Sequence, residues 1–265
     1  MFRQLYHQLT EYRGDSVYEE VLMPALEQAQ VAVASLARFR LLGTVGGAQC
    51  EDTNASWQLY ALGRVNDFLL LPFQEDERGA WGGPRVSRQQ YLEFFMRLGM
   101  TPFTCAAFSP FYYEIAKVEQ AADPAEPIRV REHFWPGLMF GEMVFSRSGV
   151  RVRAGTPHVI KEVAEQSTLY FTYRRLHRRT EDLSMGWGSN SQWRTDYRRD
   201  YVANGTRYYN IVGKNRLGDG VPAEPDRDGL TPEERIELCQ HRCFIRSRRE
   251  DRDLWPYHDR WEESP

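Results

Sequence analysis

The chain has 265 residues, 42% hydrophobic and 13% aromatic, and its 34 basic and 37 acidic side chains leave a formal charge of -3. That composition excludes a disordered, collagen-like or disulfide-framework protein, because it holds enough apolar and aromatic material to bury a sizeable core. A chain of this length forms one large domain or a domain with an appended lobe.

The amino-terminal segment MFRQLYHQLTEYRGD has no uninterrupted apolar stretch behind a basic start. It reads as neither secretory signal nor membrane anchor, and a cytoplasmic protein is expected. Residues 16 to 39 read as a helix with Ser16 at its N-cap and one stripe of Val17, Val21, Ala25, Ala29, Ala32 and Leu36. Pro24 should kink or restart it. Apolar runs at 57 to 62 and 67 to 73 read as strands, and Gln74 to Arg85 as a loop. A second helix starts at Ser87, whose spacing to Gln90 makes a capping box; Tyr91, Phe94, Phe95 and Leu98 form its buried face and Gly99 its C-cap. The most apolar long stretch, Met100 to Ala116, is interrupted by Pro102 and Pro110, so no membrane span is expected.

From Phe111 to Val212 short runs rich in β-branched and aromatic residues alternate with Gly, Pro, Ser and Asn. The runs 111–118, 128–134, 138–146, 149–154, 168–178, 191–202 and 206–212 read as strands of an antiparallel meander, with a loop over Ala121–Pro127. Lys214 to Gly229 reads as a hinge loop, and a third helix follows Thr231, with Pro232 at its first position and Glu234 completing a capping box. The tail RDLWPYHDRWEE, from Arg252, carries enough aromatic surface to be docked. The expected fold is α+β: a mainly antiparallel twisted sheet packed with a few helices from the amino-terminal third and one near the carboxyl terminus. Residues 1–216 form the main domain, and 217–265 supply a linker, helix and docked tail to it.

No dinucleotide fingerprint, phosphate loop, nucleophile elbow, H-E-x-x-H or calcium loop is present, so no cofactor is assigned. Cys239 and Cys243 flank His241 in CQHRC, but on a helix the thiols sit about 40° apart with the imidazole on nearly the opposite side. No metal is assigned. Of the basic residues 31 are Arg and three Lys, and they are unevenly placed: residues 1–145 carry 12 basic and 18 acidic side chains, 146–216 carry 14 and 6, and 217–265 carry 8 and 13. Such a basic middle is either an anion-binding surface or is balanced on folding by its acidic flanks, and internal balance is the simpler reading.

The dipeptide Asn204-Gly205 predicts a two-residue hairpin, which pairs Ala203 with Thr206, Tyr201 with Tyr208 and Arg199 with Asn210. One face then holds Trp193, Thr195, Tyr197, Arg199, Tyr201, Tyr208, Asn210 and Val212, while Arg194, Asp196, Arg198 and Asp200 form a charged ladder toward water. Arg199 is the exception on its face, since a guanidinium there needs a carboxylate, an aromatic ring or an anion. Glu142 and Glu114 lie in apolar runs and are expected to neutralise Arg199 or Arg174. The leading reading is a binding or interaction protein for an anionic small molecule or acidic protein surface, through Arg174, Trp187, Asn190, Trp193, Arg194, Tyr197, Arg199, Tyr201 and Asn210. An enzyme is the second reading, with His177 as acid or base, Arg199 holding an anion and Glu142 or Asp196 as a second proton-transfer group. A single-stranded nucleic-acid binder is the third, its interleaved Arg and Tyr stacking bases.

Overall fold

The computed structural model describes residues 1–44, 53–74, 81–176, 178–185, 192–218, 229–250 and 254–264. The first helix, α1 (Phe2–Glu11), buries Phe2, Leu5, Tyr6 and Leu9, a spacing that places all four on one stripe. The stretch expected to form one helix over 16–39 is divided into a π-helical turn (Tyr18–Leu22), α2 (Met23–Gln28), α3 (Gln30–Leu36) and a 3-10 turn (Ala37–Arg40). Pro24 lies in the first turn of α2, which continues directly from the π-helical turn through Leu22 and Met23 in helical conformation. The two strands expected within 57–73 are instead α4 (Thr53–Leu69) and a 3-10 turn (Leu71–Phe73). Helix α4 is buried on nearly every side from Ala55 to Leu69, and such a helix has no polar face to reveal a 3.6-residue period. Next comes α5 (Arg88–Arg97), where Ser87 Oγ accepts from Gln90 N at 3.1 Å and Gln90 Oε1 from Ser87 N at 2.8 Å. Gly99 ends it at φ +89°, as a C-cap glycine does.

The strands are β1 (Thr101–Phe103), β2 (Tyr113–Gln120), β3 (Arg129–Trp135), β4 (Gly137–Phe140), β5 (Met143–Ser146), β6 (Ser148–Ala154), β7 (Leu169–Tyr170), β8 (Thr180–Glu181), β9 (Asp200–Ala203), β10 (Thr206–Tyr209), β11 (Asn215–Arg216) and β12 (Asp259–Glu263). Helix α6 (Lys161–Gln166) follows β6, and α7 (Pro232–His241) precedes the tail. They build three sheets: β1-β4-β5-β9-β10-β12-β11, β2-β6-β3, and β7-β8. Most pairs are antiparallel, and the fold is α+β. A simple meander is not formed, because β2 and β6 pair in parallel and the chain changes sheet at Arg147, between β5 and β6.

Two expected strands are much shorter. The run 168–178 keeps only Leu169 and Tyr170, because Phe171 turns the backbone to φ +56°. The run 191–202 is extended-paired only from Asp200. The tail does not lie across a sheet; it enters the seven-stranded one as β12, antiparallel to β10 and parallel to β11. Helix α7 has the capping box read from Thr231 and Glu234. The main core joins α1, α4 and α5 to Phe140, Met143, Phe145 and Tyr201 of the large sheet. A second core, under the three-stranded sheet, holds Val118, Val150, Val152 and Ala164. Among the described residues no helix is long and apolar enough to cross a membrane.

Candidate functional site

The Asn204-Gly205 hairpin forms in the expected register from Ala203 opposite Thr206 to Tyr201 opposite Tyr208, but the expected pairing of Arg199 with Asn210 is not formed, because Asn210 lies beyond the strand end at φ +53°. Both turn residues have positive φ, +51° and +82°, as a type I′ turn requires. The residues around it, however, do not spread over a solvent-facing sheet. Trp193, Arg199, Tyr201 and Asn210 are buried, and Tyr201 donates through its hydroxyl to the Phe39 carbonyl at 2.9 Å. Tyr197 is half-buried, stacks on Phe145 and lies against Gly63, where a Cβ would enter its ring. Arg194 and Arg174 are exposed over the rings of Trp57 and Trp81.

The ladder expected to meet water is partly inverted, since Arg198 and Asp200 are among the deepest side chains. The reason is tertiary: helix α7 covers that side of the sheet, and Arg198 donates to the Cys239 carbonyl on it. Arg199 is 2% exposed and lies over the Phe39 ring, with no hydrogen bond on Nε or Nη1. Neither Glu114 nor Glu142 neutralises it. Glu114 takes Arg175 in a bidentate pair at 2.7 and 2.8 Å, and Glu142 sits in the β4–β5 turn accepting from Leu42 N at 2.8 Å. Asp196 accepts from Ser56 Oγ at 2.7 Å. His177, Trp187 and Asn190 lie outside the described residues.

Two linked ionic clusters fill the interior behind the hairpin. In the first, Asp200 accepts from Arg198 Nε at 2.8 Å, Arg242 Nη2 at 3.0 Å, Arg147 Nη2 at 3.3 Å and Asn210 N at 2.7 Å. Burial alone would raise the Asp200 pKa, but the guanidiniums, Arg198 foremost, hold it well below the usual carboxylate range. In the second, Arg175 bridges Glu114 and Asp67, with 2.9 Å to the latter. There too the raising effect of burial on Glu114 is overcome by Arg175, and its pKa is lowered. Three of the four non-glycine residues with positive φ among the described residues border the first cluster: Phe171, Asn210 and Arg242. Asn tolerates that conformation, whereas Phe171 and Arg242 store strain that the surrounding contacts must hold.

A narrow cleft opens beside these clusters, bounded by α4 and by residues 171–173, 182–183 and 196–198. Its charged lining is Arg64, Arg198, Asp67, Asp182 and Asp196, and its rings include Tyr60, Phe171, Tyr173 and Tyr197. Arg64, on α4, is packed 3.6 Å from the Tyr173 ring centre and 4.2 Å from that of Trp193, with Tyr6 and Tyr60 at 5.5 Å. Arg198 lies 4.5 Å over the Phe171 ring. The lining carboxylates have internal partners. Asp67 binds Arg175 and Tyr173 N, and Asp182 accepts from Tyr60 at one oxygen and from Ser184 at the other. Arg64 Nε and Arg198 Nη1 are buried without a hydrogen-bond partner.

Of the residues expected at a site, Tyr197 and Asp196 line this cleft, with Trp193 stacked behind Arg64. Arg64 and Asp67 were legible only as oddities, polar residues inside the most apolar helix, in the run LGRVNDFLLL. Arg147 carries the same mark, a guanidinium between two apolar strands. No protein-family model matches the chain, and no curated protein or solved structure matches it either.

Proposed function

We propose that the protein binds a small anionic ligand, a carboxylate or phosphate with a flat apolar body, in the cleft between Arg64 and Arg198. The observation that carries this reading is the pair of guanidiniums, Arg64 and Arg198, that line one cleft together with the rings of Tyr60, Phe171, Tyr173 and Tyr197. A guanidinium donates charge-assisted hydrogen bonds to a carboxylate or phosphate oxygen. The neighbouring rings offer flat contact area for the rest of the ligand. An acidic protein surface fits less well, because the two charges are recessed and most of the expected Arg and Tyr face is interior. The same burial removes the stacking platform a single-stranded nucleic acid would use. Binding is proposed to occur in the cytoplasm, in keeping with the buried thiols of Cys239 and Cys243.

The test is titration of the protein with benzoate and with phenyl phosphate, followed by tryptophan fluorescence and thermal shift. At least one should bind saturably, and Arg64→Gln should weaken it by about tenfold or more, the loss of one charge-assisted hydrogen bond. Arg174→Gln, outside the cleft, should leave affinity unchanged. Absence of saturable binding of both probes, or equal affinity in Arg64→Gln, would refute the reading.

A further inference from the structure

Around the buried Asp200 positive charge exceeds negative charge. Around Asp200 the guanidiniums of Arg147, Arg198 and Arg242 share one carboxylate. The next carboxylates, Glu114 and Asp67, do not make up the difference, since Arg175 bridges both and Arg178 also acts on Glu114. In these two clusters four ion-paired guanidiniums therefore face three carboxylates. The carboxyl end of α7 helps through the Cys239 carbonyl on Arg198, but a helix end supplies only about half a charge. Arginine does not relieve such an excess by losing its proton in proteins.

The hydrogen bonds show the same imbalance. Arg147 is 5% exposed, and one of its nitrogens reaches Asp200 while Nε and Nη1 have no partner; on Arg242, Nε has none. These nitrogens are closed to bulk water, which limits a ligand to a single small ion. Their position at the junction of the two larger sheets and the end of α7 makes any ion there part of the packing.

We propose that a monovalent inorganic anion of the size of chloride or bromide is bound in the interior against Arg147 and Arg242, on the guanidinium edges that Asp200 leaves unoccupied. The ion offsets the surplus charge and accepts the stranded N–H groups, so it belongs to the folded state and stabilises it. This site is separate from the cleft and does not depend on what the cleft binds.

Crystals of the unmodified protein grown in sodium bromide test this directly through bromine anomalous scattering. The expected result is a peak in hydrogen-bond contact with Arg147 and Arg242. Thermal unfolding in sodium bromide against sodium gluconate at equal ionic strength should show a Tm higher by a few degrees in bromide. Arg147→Met should abolish that difference while folding, because Asp200 keeps Arg198 and Arg242. Ordered water in place of bromide at Arg147, or equal Tm in the two salts, overturns the proposal. A peak confined to the space between Arg64 and Arg198 overturns it as well, while supporting the cleft reading.

Discussion

Arginines from the same basic stretch of the chain have two different fates. On β6, Arg151 pairs with Glu132 at 2.9 Å and Arg153 with Glu126 at 3.0 Å and with Glu119, all at partly exposed positions. Behind the hairpin, Arg147, Arg198 and Asp200 are each no more than 3% exposed at the side chain. On the surface, water solvates both partners with or without the pair, and the pair contributes little. In the interior each charge has given up its hydration, and removing one partner strands the others. The number of ion pairs thus says little about stability; their depth decides.

Asp200→Asn breaks the comparison most severely. It keeps the shape but leaves three guanidiniums without their carboxylate, and urea unfolding should show a loss of about 3–5 kcal/mol. A loss under about 1 kcal/mol would mean that the interior cluster behaves like the surface one. Asp67→Asn should cost less, because Arg175 retains its bidentate pair with Glu114.

Acid titration separates two parts of this interior. Burial, with Arg147 and Arg246 nearby, lowers the His241 pKa to about 3, so the ring stays neutral in the fold and becomes charged on unfolding. Its contribution to stability is complete above the unfolded value of about 6.5 and is lost as pH falls toward 3. Asp200 and Glu114 are lowered from ordinary carboxylate values, so their contribution is lost only below about pH 4. Urea midpoints should therefore fall in two windows. His241→Gln should flatten the upper one and Asp200→Asn the lower; a single window unchanged by either variant would contradict both assignments.

Smaller effects come from local devices. Gly205→Ala places a Cβ at φ +82° in the hairpin turn and should cost about 1–2 kcal/mol. Ser87→Ala and Thr231→Ala each remove one capping hydrogen bond and should cost about 1 kcal/mol. Arg153→Gln, at the exposed end of the comparison, should leave the urea midpoint within the scatter of repeat measurements.

The site was less legible than the fold. Tyr197, Asp196 and Trp193 stand in the segment singled out around the hairpin, and all three border the cleft or pack on its Arg64. Arg199 was marked as an anomaly on its face, and it is buried over Phe39 without the carboxylate that Glu114 or Glu142 was expected to supply. Arg64, Arg147 and Arg242 lie 134, 51 and 44 residues from Arg198 in the chain, so no local spacing connects them to it. The period-two pattern over 168–178 pointed to a strand because it records side-chain type; it carries no sign of the positive φ at Phe171 that ends the pairing.

By itself the sequence determined what short-range chemistry controls. It set both capping boxes, the I′ turn with the register of the pairs next to it and the α+β class, since each depends on residues within a few positions of one another. It also set the total of charge, with an arginine-rich middle between acidic flanks. Only the tertiary structure decided which of those charges would be solvated and which enclosed. Arg207 and Arg216 found Glu263 and Glu262 through the insertion of β12, and Arg175 found Asp67 through the burial of α4. Burial and long-range pairing are properties of the assembled layers, and those same layers set the arginines of the cleft and of the anion site in place.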